Sequence, residues 1–363
     1  SGNNDGTVGW DFLLDDSLVQ YLAENELVTA HYTISVTDDS GAANAAATAS
    51  VTVLIAGRND QLEITPLDVV GSVNEDETAT LNDGGSLIAV DTDTSDVVSA
   101  TATLATTTTS GPAIPAEVAS GLSTAMTVTS NPDSVIAWEF SLGSSLVQYL
   151  ADGESIAAVY TITVSDDSGL PDSVVTQEVN LLISGSNDRP TIAGGNVDGS
   201  VTEDDADILV DSGTITFAEI DETDLLSSSV TLTGTTTNVV AIPADLQLAL
   251  GSAVSINQTG VNDGTIVWDF AIDNALVEYL TDSETVTAVY SVEIKDDSGA
   301  ANATQTQQVT VVIEGTNTAP VLTTIDASIG SLASKGTVDS PVMLSGEFFD
   351  ENPDDTHSVS YTH

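Results

Sequence analysis

The chain has 363 residues, of which 56 are acidic and only 4 are basic, so its formal net charge is −52. A field of this sign and size repels nucleic acids and anionic membranes, which excludes both as expected partners. No run of about 18 apolar residues occurs, so no transmembrane helix is expected in this segment. The chain has no cysteine, so the fold cannot rely on disulfides. Because 41% of the residues are hydrophobic and the acids are dispersed, we expect a folded protein with an anionic surface rather than a disordered tail.

One passage is written three times along the chain. The copies begin at Trp10, Trp138 and Trp268, which are 128 and 130 residues apart. Each copy contains W-[DE]-F, then L-V-[QE]-Y-L, then Y-[TS]-[IV]-x-[VI]-x-D-D-S-G, and finally G-x-N. A period of this length corresponds to a whole domain rather than to one turn of a solenoid. The sequence therefore predicts a tandem array of like domains.

Two segments of each copy alternate apolar and polar residues, in the second copy at 160–164 and 179–183. Period-two patterns that flank a turn such as D-D-S-G are typical of antiparallel strands. The apolar members are Tyr32, Ile34, Val36, Val51, Val53 and Ile55, then Tyr160, Ile162, Val164, Val179, Leu181 and Ile183, then Tyr290, Val292, Ile294, Val309, Val311 and Ile313. The pattern predicts an all-β fold of tandem antiparallel Greek-key β-sandwich domains.

Two further features complete the expected domain. The three tryptophans occupy a fixed W-x-F position, which favours a place in the core over a sugar-stacking platform. Pro115 and Pro243 are each followed by an alanine and an acid, and this pattern predicts a one-turn helix at both places.

The repeat frame also predicts domain boundaries. Short linkers are expected near 57–61, 185–190 and 315–320, where G-x-N ends a strand and, at Pro190, a proline stiffens the junction. The predicted units are the C-terminal half of a repeat at 1–60, complete repeats at 61–188 and 189–316, and the N-terminal part of a further repeat at 317–363. The chain is therefore expected to be a segment of a longer protein.

Acidic motifs recur in register in these units. They are V-x-E-D, ending at Asp76 and Asp204; a D/E-x-D/N-x-x-D pattern beginning at Asp91, Glu219 and Asp350; D-D-S-G, beginning at Asp38, Asp166 and Asp296; and a linker pair beginning at Asn59, Asn187 and Asn317. Ca²⁺ takes about six to eight oxygen ligands of these kinds, whereas Mg²⁺ keeps more water. Three histidines and no cysteine disfavour zinc, copper and iron. Asp, Asn, Ser and Gly also form ordinary turns, but recurrence in register favours a calcium-binding role.

V-x-E-D, D-x-D-x-x-D, Y-x-I-x-V-x-D-D-S-G and G-x-N-D-x-P resemble the motifs of VCBS-type and cadherin-like tandem repeats of large bacterial (RTX-type) surface adhesins. The resemblance covers nearly the whole chain, although the glycine-rich nonapeptide of RTX calcium rolls is absent. It implies cadherin/Ig-like sandwiches joined by short linkers into an elongated rod. It also implies one calcium cluster per linker, with a glutamate from the upstream domain, Asn and Asp from the linker, and D-x-D and D-D-S-G acids from the downstream domain.

Carried onto this chain, the resemblance implies three ligand sets. The set near the first linker is Asn59, Asp60, Asp91, Asp93 and Asp167. The set near the second is Glu75, Asn187, Asp188, Glu219, Asp221 and Asp297, with Glu219 where the pattern expects Asp. The set near the third is Glu203, Asn317 and Asp350. Because Thr318 and Asn352 replace expected aspartates there, that site is expected to be weaker or built differently. The mid-domain acid of cadherins would be Glu26, Glu154 or Glu284.

The predicted function is that of a structural extender in a large extracellular adhesin or surface fibre on a bacterial cell, rigidified by Ca²⁺ and serving cell-surface or biofilm adhesion. Its partners would be neighbouring repeats of the same chain, with cell-surface glycans or proteins bound through other regions. A glycan- or protein-binding module, an accessory region of a secreted enzyme, and a filament subunit whose partial domains complete those of a neighbour remain alternatives. No enzymatic activity is expected, because His31, His357 and His363 do not recur in the repeats.

Overall fold

The computed structural model describes residues 6–130, 134–239, 241–329, 342–350, 352 and 356–360. The strands in this part of the chain are β1 (Leu27–Thr37), β2 (Ala46–Ala56), β3 (Glu63–Asp68), β4 (Val70–Asn74), β5 (Thr80–Val90), β6 (Ser99–Thr109), β7 (Met126–Ser130), β8 (Val135–Gly143), β9 (Ser155–Ser165), β10 (Val174–Ser184), β11 (Thr191–Gly195), β12 (Asp198–Thr202), β13 (Ile208–Ala218), β14 (Ser227–Thr237), β15 (Val254–Thr259), β16 (Gly264–Asp273), β17 (Thr285–Lys295), β18 (Thr304–Glu314), β19 (Val321–Ile329) and β20 (Val342–Phe349). The α-helices are α1 (Ala116–Thr124) and α2 (Ala244–Leu250), and short 3-10 turns lie at Asp16–Leu18, Ser144–Leu146 and Asn274–Leu276.

Contacts between residues divide the chain into two compact units, Ser1–Ser186 and Asn187–His363. The first unit contains the two-stranded sheet β1-β2 and two four-stranded sheets, ordered β3-β5-β8-β7 and β4-β10-β9-β6. Strands β4 and β10 run parallel, and the other neighbours run antiparallel. The chain passes repeatedly from one four-stranded sheet to the other, which confirms the Greek-key sandwich expected from the sequence.

The second unit repeats this arrangement strand for strand. Its four-stranded sheets are ordered β11-β13-β16-β15 and β12-β18-β17-β14, and the two-stranded sheet β19-β20 follows them. Strand β12 runs parallel to β18, as β4 does to β10. The residue boundaries of the four predicted repeats stay a prediction, but the repeated passage does fold to a repeated topology.

Each sandwich encloses a core that contains one buried tryptophan. Trp138 and Trp268 are 1% and 0% exposed, which confirms their predicted place in the core. The indole Nε1 of Trp138 donates to the Asp68 carbonyl at 2.7 Å. A Cβ on Gly85 would lie 2.8 Å from that nitrogen, so the strand facing the ring needs a residue without a side chain. The repeated apolar positions of β9, β10, β17 and β18 are buried as predicted.

The two helices begin directly after Pro115 and Pro243, as predicted, but they are longer than one turn. Helix α1 has nine residues and α2 has seven. Each places two apolar residues four apart on its inner face, Val118 and Leu122 in α1 and Leu246 and Leu250 in α2, and this burial extends the helix beyond its first turn. Among the described residues, no helix has the length and apolar character needed to cross a membrane.

The first copy of the repeated passage differs in its surroundings. Trp10 is 53% exposed and Tyr32 is 49% exposed, because only the sheet β1-β2 accompanies them within the described part of the first unit. The expectation of a core tryptophan is therefore wrong for Trp10 in this structure. The ends of β2, β10 and β18 lead into 57–62, 185–190 and 315–320, which contain neither helix nor strand.

Candidate metal centres

The first cluster consists of Asn59, Asp60, Asp91, Asp93, Asp96 and Asp166. Asp93 is 2% exposed, and its Oδ2 accepts the linker amide of Asp60 at 2.7 Å. Asp91 Oδ1 accepts the Asp93 amide at 3.0 Å. The second carboxylate oxygen of both residues is buried and has no hydrogen-bond partner, and the same holds for Asn59 Oδ1. Each of these three predicted ligands thus keeps one buried side-chain oxygen that the protein does not pair.

Two acids outside the predicted set complete this cluster. One oxygen from each of Asp91, Asp96 and Asp166 lies within 4.8 Å of the others, and Oδ2 of Asp96 and of Asp166 is buried without a partner. The predicted Asp167 is exposed, and its Oδ1 accepts the Val97 amide at 2.8 Å. The structure therefore brings the first acid of D-D-S-G, rather than the second, to the cluster.

The sequence did contain a signal for both missed acids. Asp96 is the last member of the D-x-D-x-x-D motif, so its position was apparent before the fold was known. The choice between Asp166 and Asp167 depends on alternation: Val164 is buried, so Asp166 continues the inner face of β9 and Asp167 faces outwards.

The acids of the first cluster lie close together without a neutralising basic side chain. No basic side chain of the described residues forms an ion pair with Asp91, Asp93, Asp96 or Asp166. Burial raises the pKa of Asp91 and of Asp93. Burial, followed by repulsion from Asp93 and Asp91, raises the pKa of Asp96 to about 6. A bound cation would act in the opposite direction, because it favours the ionised form of each carboxyl group.

The second cluster consists of Asn187, Asp188, Glu219, Asp221, Asp224 and Asp296. Asp221 is fully buried, and its Oδ2 accepts the Asp188 amide at 2.8 Å. Glu219 Oε1 accepts the Asp221 amide at 3.3 Å, as Asp91 Oδ1 accepts that of Asp93, and it also accepts the Ile220 amide at 2.8 Å. The remaining oxygens, Asp221 Oδ1 and Glu219 Oε2, are buried without a hydrogen-bond partner, as is Asn187 Oδ1. These contacts reproduce those of Asp93, Asp91 and Asn59, so glutamate at 219 serves where the pattern expects aspartate.

Asn187 is anchored by several neighbours in the second cluster. Its Nδ2 donates to the Asp188 carbonyl at 2.7 Å, to Asn302 Oδ1 at 3.2 Å and to Asp296 Oδ2 at 3.4 Å. Asp296 is 2% exposed. The predicted Asp297 is exposed and accepts the Leu225 amide at 2.8 Å, as Asp167 does with Val97.

Burial is also the largest influence on the pKa of Glu219 and of Asp221 in the second cluster. It raises the pKa of Glu219 to about 7, with smaller contributions from repulsion by Asp296 and Asp224. It raises the pKa of Asp221 to about 7, where Asp188, Asp224 and Glu219 add to the effect. The predicted participation of Glu75 in this ligand set stays a prediction. In the first unit Glu75 is 1% exposed, and its Oε1 accepts the Ser186 amide at 2.6 Å.

The third cluster is built differently. Asp350 Oδ1 accepts the Asn352 amide at 3.0 Å, while its Oδ2 pairs with His357 Nε2 at 2.6 Å. The hydrogen bond with His357 lowers the pKa of Asp350, whereas the pKa of Asp91 at the matching position is raised. Asn317 is exposed, unlike its buried counterpart Asn187.

The upstream glutamate of this junction lies near two other acids. Glu203 is 1% exposed, and its Oε2 accepts the Thr316 amide at 3.1 Å. One oxygen from each of Glu203, Asp204 and Glu278 lies within 4.8 Å of the others. Glu278 stands where Gln148 and Gln20 stand in the other copies, and sequence reasoning did not consider it as a mid-domain acid.

The three mid-domain candidates each lie in a tight turn, and their role as ligands stays a prediction. Glu26, Glu154 and Glu284 each accept the amide of the residue three positions earlier, at 3.1, 3.1 and 2.8 Å. This contact closes the tight turn before β1, β9 and β17 in the three copies. Local turn chemistry thus explains why these glutamates recur.

Comparison with known proteins adds little beyond the strand topology. No protein family matches the chain, and no curated protein matches it. Among solved structures, zebrafish RET cadherin-like domains 1 to 4 are 12% identical, with a TM-score of 0.23, and the match covers 80% of this chain and 65% of that one. Drosophila N-cadherin EC1-4 is 14% identical, with a TM-score of 0.25 and coverage of 88% and 68%.

The titin domains z1z2 in complex with telethonin are also similar, at 12% identity and a TM-score of 0.28, with coverage of 71% of this chain and 98% of that one. The chain spans slightly less than two thirds of the RET structure. Scores of this size carry no functional argument. The cadherin-like and Ig-like β-sandwich fold is therefore taken from the strand order itself.

Proposed function

We propose that this chain is a calcium-binding structural segment of a large extracellular adhesin or surface fibre, in which Ca²⁺ stiffens the junctions between cadherin-like repeats. One observation carries the proposal. In the first cluster, side-chain oxygens of Asn59, Asp91, Asp93, Asp96 and Asp166 are buried and have no hydrogen-bond partner. The second cluster repeats this feature at three corresponding positions, Asn187, Glu219 and Asp221.

The donor set fits Ca²⁺ by its chemistry. Ca²⁺ accepts about six to eight oxygen ligands from carboxylates, amide carbonyls, backbone carbonyls and water, and the first cluster offers carboxylate and amide oxygens only. Burying a carboxylate oxygen without a partner is unfavourable, and neighbouring carboxylates repel one another. A divalent cation would remove both costs. Holding a backbone amide does not require this burial, since Asp167 and Asp297 accept the Val97 and Leu225 amides from exposed positions.

We further propose how calcium acts on the array. The proposed repeats are 61–188 and 189–316, flanked by the partial repeats 1–60 and 317–363. The amides of Asp60 and Asp188 in the first two linkers are already held by the buried Asp93 and Asp221, so a cation bound to that aspartate would connect the linker to the downstream repeat. Without calcium the same carboxylates repel and the linker would flex. This behaviour suits a VCBS-type extender at the bacterial cell surface whose partners are its own neighbouring repeats.

Other roles stay open as predictions. Adhesion to glycans or proteins is assigned to other regions of the proposed adhesin, because aromatic residues make up only 4% of this chain. A direct glycan- or protein-binding role, an accessory role beside a secreted enzyme, and service in biofilm adhesion are alternatives or extensions of the same proposal.

Calcium titration by isothermal calorimetry on the full chain tests the proposal. The wild-type chain is expected to bind Ca²⁺ with dissociation constants of about 10⁻⁴ M to 10⁻³ M or tighter, as extracellular modules do. Asp93→Asn removes one carboxylate charge from the first cluster, and we expect it to weaken binding at one group of sites by about tenfold or more. The second group of sites should keep its affinity.

Glu178→Gln is the matched control, because Glu178 is exposed on β10 and its neutralisation removes one charge without touching a cluster. Its titration should coincide with that of the wild-type chain. A wild-type chain that shows no calcium uptake at millimolar concentration, or a control that loses as much affinity as Asp93→Asn, would contradict the proposal.

A further inference from the structure

One position of the acidic motif differs between the three clusters. Asp93, Asp221 and Asn352 occupy it, and they are 2%, 0% and 0% exposed. In each case one side-chain oxygen accepts the amide of the second linker residue: Asp60 at 2.7 Å, Asp188 at 2.8 Å and Thr318 at 2.7 Å. The backbone contact to the linker is therefore common to all three clusters, whatever the chemistry of the second side-chain atom.

The second side-chain atom separates the third cluster from the other two. Asp93 Oδ1 and Asp221 Oδ1 are buried without a hydrogen-bond partner. Asn352 carries Nδ2 instead, which donates to the Leu280 carbonyl at 2.9 Å and to the Thr316 carbonyl at 3.5 Å. A carboxylate oxygen cannot donate, so aspartate could not make these contacts. Asn352 Nδ2 is therefore paired with protein carbonyl groups. In the first two clusters the corresponding carboxylate oxygen has no donor and is free to bind a cation.

Two further differences also distinguish the third cluster as one that does not need a cation. Thr318 replaces the linker aspartate, and its hydroxyl donates to Asp204 Oδ2 at 3.1 Å. Asp350 pairs with His357 at 2.6 Å, where Asp91 keeps an oxygen without a partner. The first difference removes a carboxylate that would bind a cation, and the second supplies a hydrogen-bond donor to the carboxylate in place of a cation.

We infer that the segment around Thr318 is held by a metal-independent latch, in which the Asn352 side chain connects the Leu280 carbonyl to the Thr318 amide. Removing calcium then loosens the first two clusters and leaves this latch closed. The inference rests on the proposed function for the contrast with the first two clusters, but the latch itself requires no ion.

Hydrogen–deuterium exchange of the full chain, measured by mass spectrometry in millimolar CaCl₂ and in excess EGTA, tests the latch directly. The Asp60, Asp188 and Thr318 amides are themselves the donors, so their exchange reports each contact. We expect the Asp60 and Asp188 amides to exchange about tenfold or more faster in EGTA, and the Thr318 amide to change by less than about twofold.

Two variants at one position sharpen the test. Asn352→Ala should accelerate Thr318 exchange in both solutions. Asn352→Asp keeps the oxygen that accepts the Thr318 amide, but it places a carboxylate oxygen against the Leu280 carbonyl. The protection of the Thr318 amide from exchange should then become calcium-dependent. Asn257→Asp is the matched control, since Asn257 is exposed on β15 of the same unit, and it should leave Thr318 unchanged.

The outcomes separate the two proposals. Faster Thr318 exchange in EGTA in the wild-type chain, no effect of Asn352→Ala, or a calcium-independent Asn352→Asp variant would each overturn the latch. Asp60 and Asp188 amides that ignore calcium would instead overturn the proposed function, and the response of Thr318 to Asn352→Ala would still decide the latch.

Discussion

The two carboxylate oxygens of Asp93, and likewise those of Asp221, have different surroundings. One accepts a linker amide, and the other is buried without a hydrogen-bond donor. A single-atom change converts this arrangement to that of Asn352, whose amide group is fully paired. Local sequence motifs predicted which segments are acidic, but the assignment of individual oxygens depends on packing. At the residue scale, the most informative comparison is therefore among the three copies rather than with any distant relative.

The raised pKa values predict how the metal-free protein responds to pH. Asp96 in the first cluster and Glu219 and Asp221 in the second have pKa values of about 6, about 7 and about 7, against 3.8, 4.5 and 3.8 when unperturbed. The folded state thus binds more protons than the unfolded state between these limits. The contribution of these three groups to the stability of the folded state is fully present below about pH 4. It is lost as the pH rises through 6 to 7.

In urea denaturation with EGTA, the free energy of unfolding should therefore be lower at pH 8 than at pH 5, because these groups then contribute less to it. Asp221→Asn should flatten this dependence, whereas the exposed-site variant Glu178→Gln should not. Saturating calcium should also flatten it, because the ion stabilises the ionised carboxylates. Stability that rises between pH 5 and pH 8 in EGTA, with the same slope in Asp221→Asn, would contradict the assignment.

At the element scale, the alternation of apolar residues predicted the strands well. The strands β9, β10, β17 and β18 bury the residues that the pattern marked. The helices were predicted less completely, because a proline followed by an acid indicates only where a helix begins. Their length depends on how many turns find apolar partners beneath them, and that is decided by the sandwich end onto which they pack.

Helix α2 offers a matched pair of leucines for a stability test. Leu246 is 0% exposed and Leu248 is 79% exposed. Leu246→Ala should lower the free energy of unfolding by about 2–5 kcal/mol, because it removes buried methyl groups and leaves a cavity. Leu248→Ala should change it by less than about 0.5 kcal/mol.

Thermal or urea denaturation at constant calcium concentration compares the two variants under the same conditions. Equal losses would show that α2 does not dock through the face that contains Leu246. A loss in Leu248→Ala alone would reverse the assigned orientation of the helix.

At the scale of the whole molecule, the net charge of −52 opposes close approach of acidic segments unless cations screen or bind them. Small-angle X-ray scattering of the full chain should show a narrower distribution of conformations in millimolar calcium than in EGTA. The double variant Asp93→Asn and Asp221→Asn should lose most of this calcium response. Magnesium at equal ionic strength controls for screening, and a profile that is unchanged by calcium or changes equally with magnesium would contradict calcium-stiffened junctions.

By itself, the sequence determined the class of fold, the repeat, the strand faces, the turn motifs and the oxygen-rich chemistry, because these depend on local periodicity and composition. Alternation along β9 indicated Asp166 rather than Asp167, but only the tertiary structure decided that Asp166 lies beside Asp91 and Asp96, since these acids belong to segments distant in sequence. It also revealed Glu278 beside Glu203 and the pairing of Asn352 with Leu280. Those residues lie far apart in sequence, and the pairing of strands and loops in three dimensions brings their side chains together.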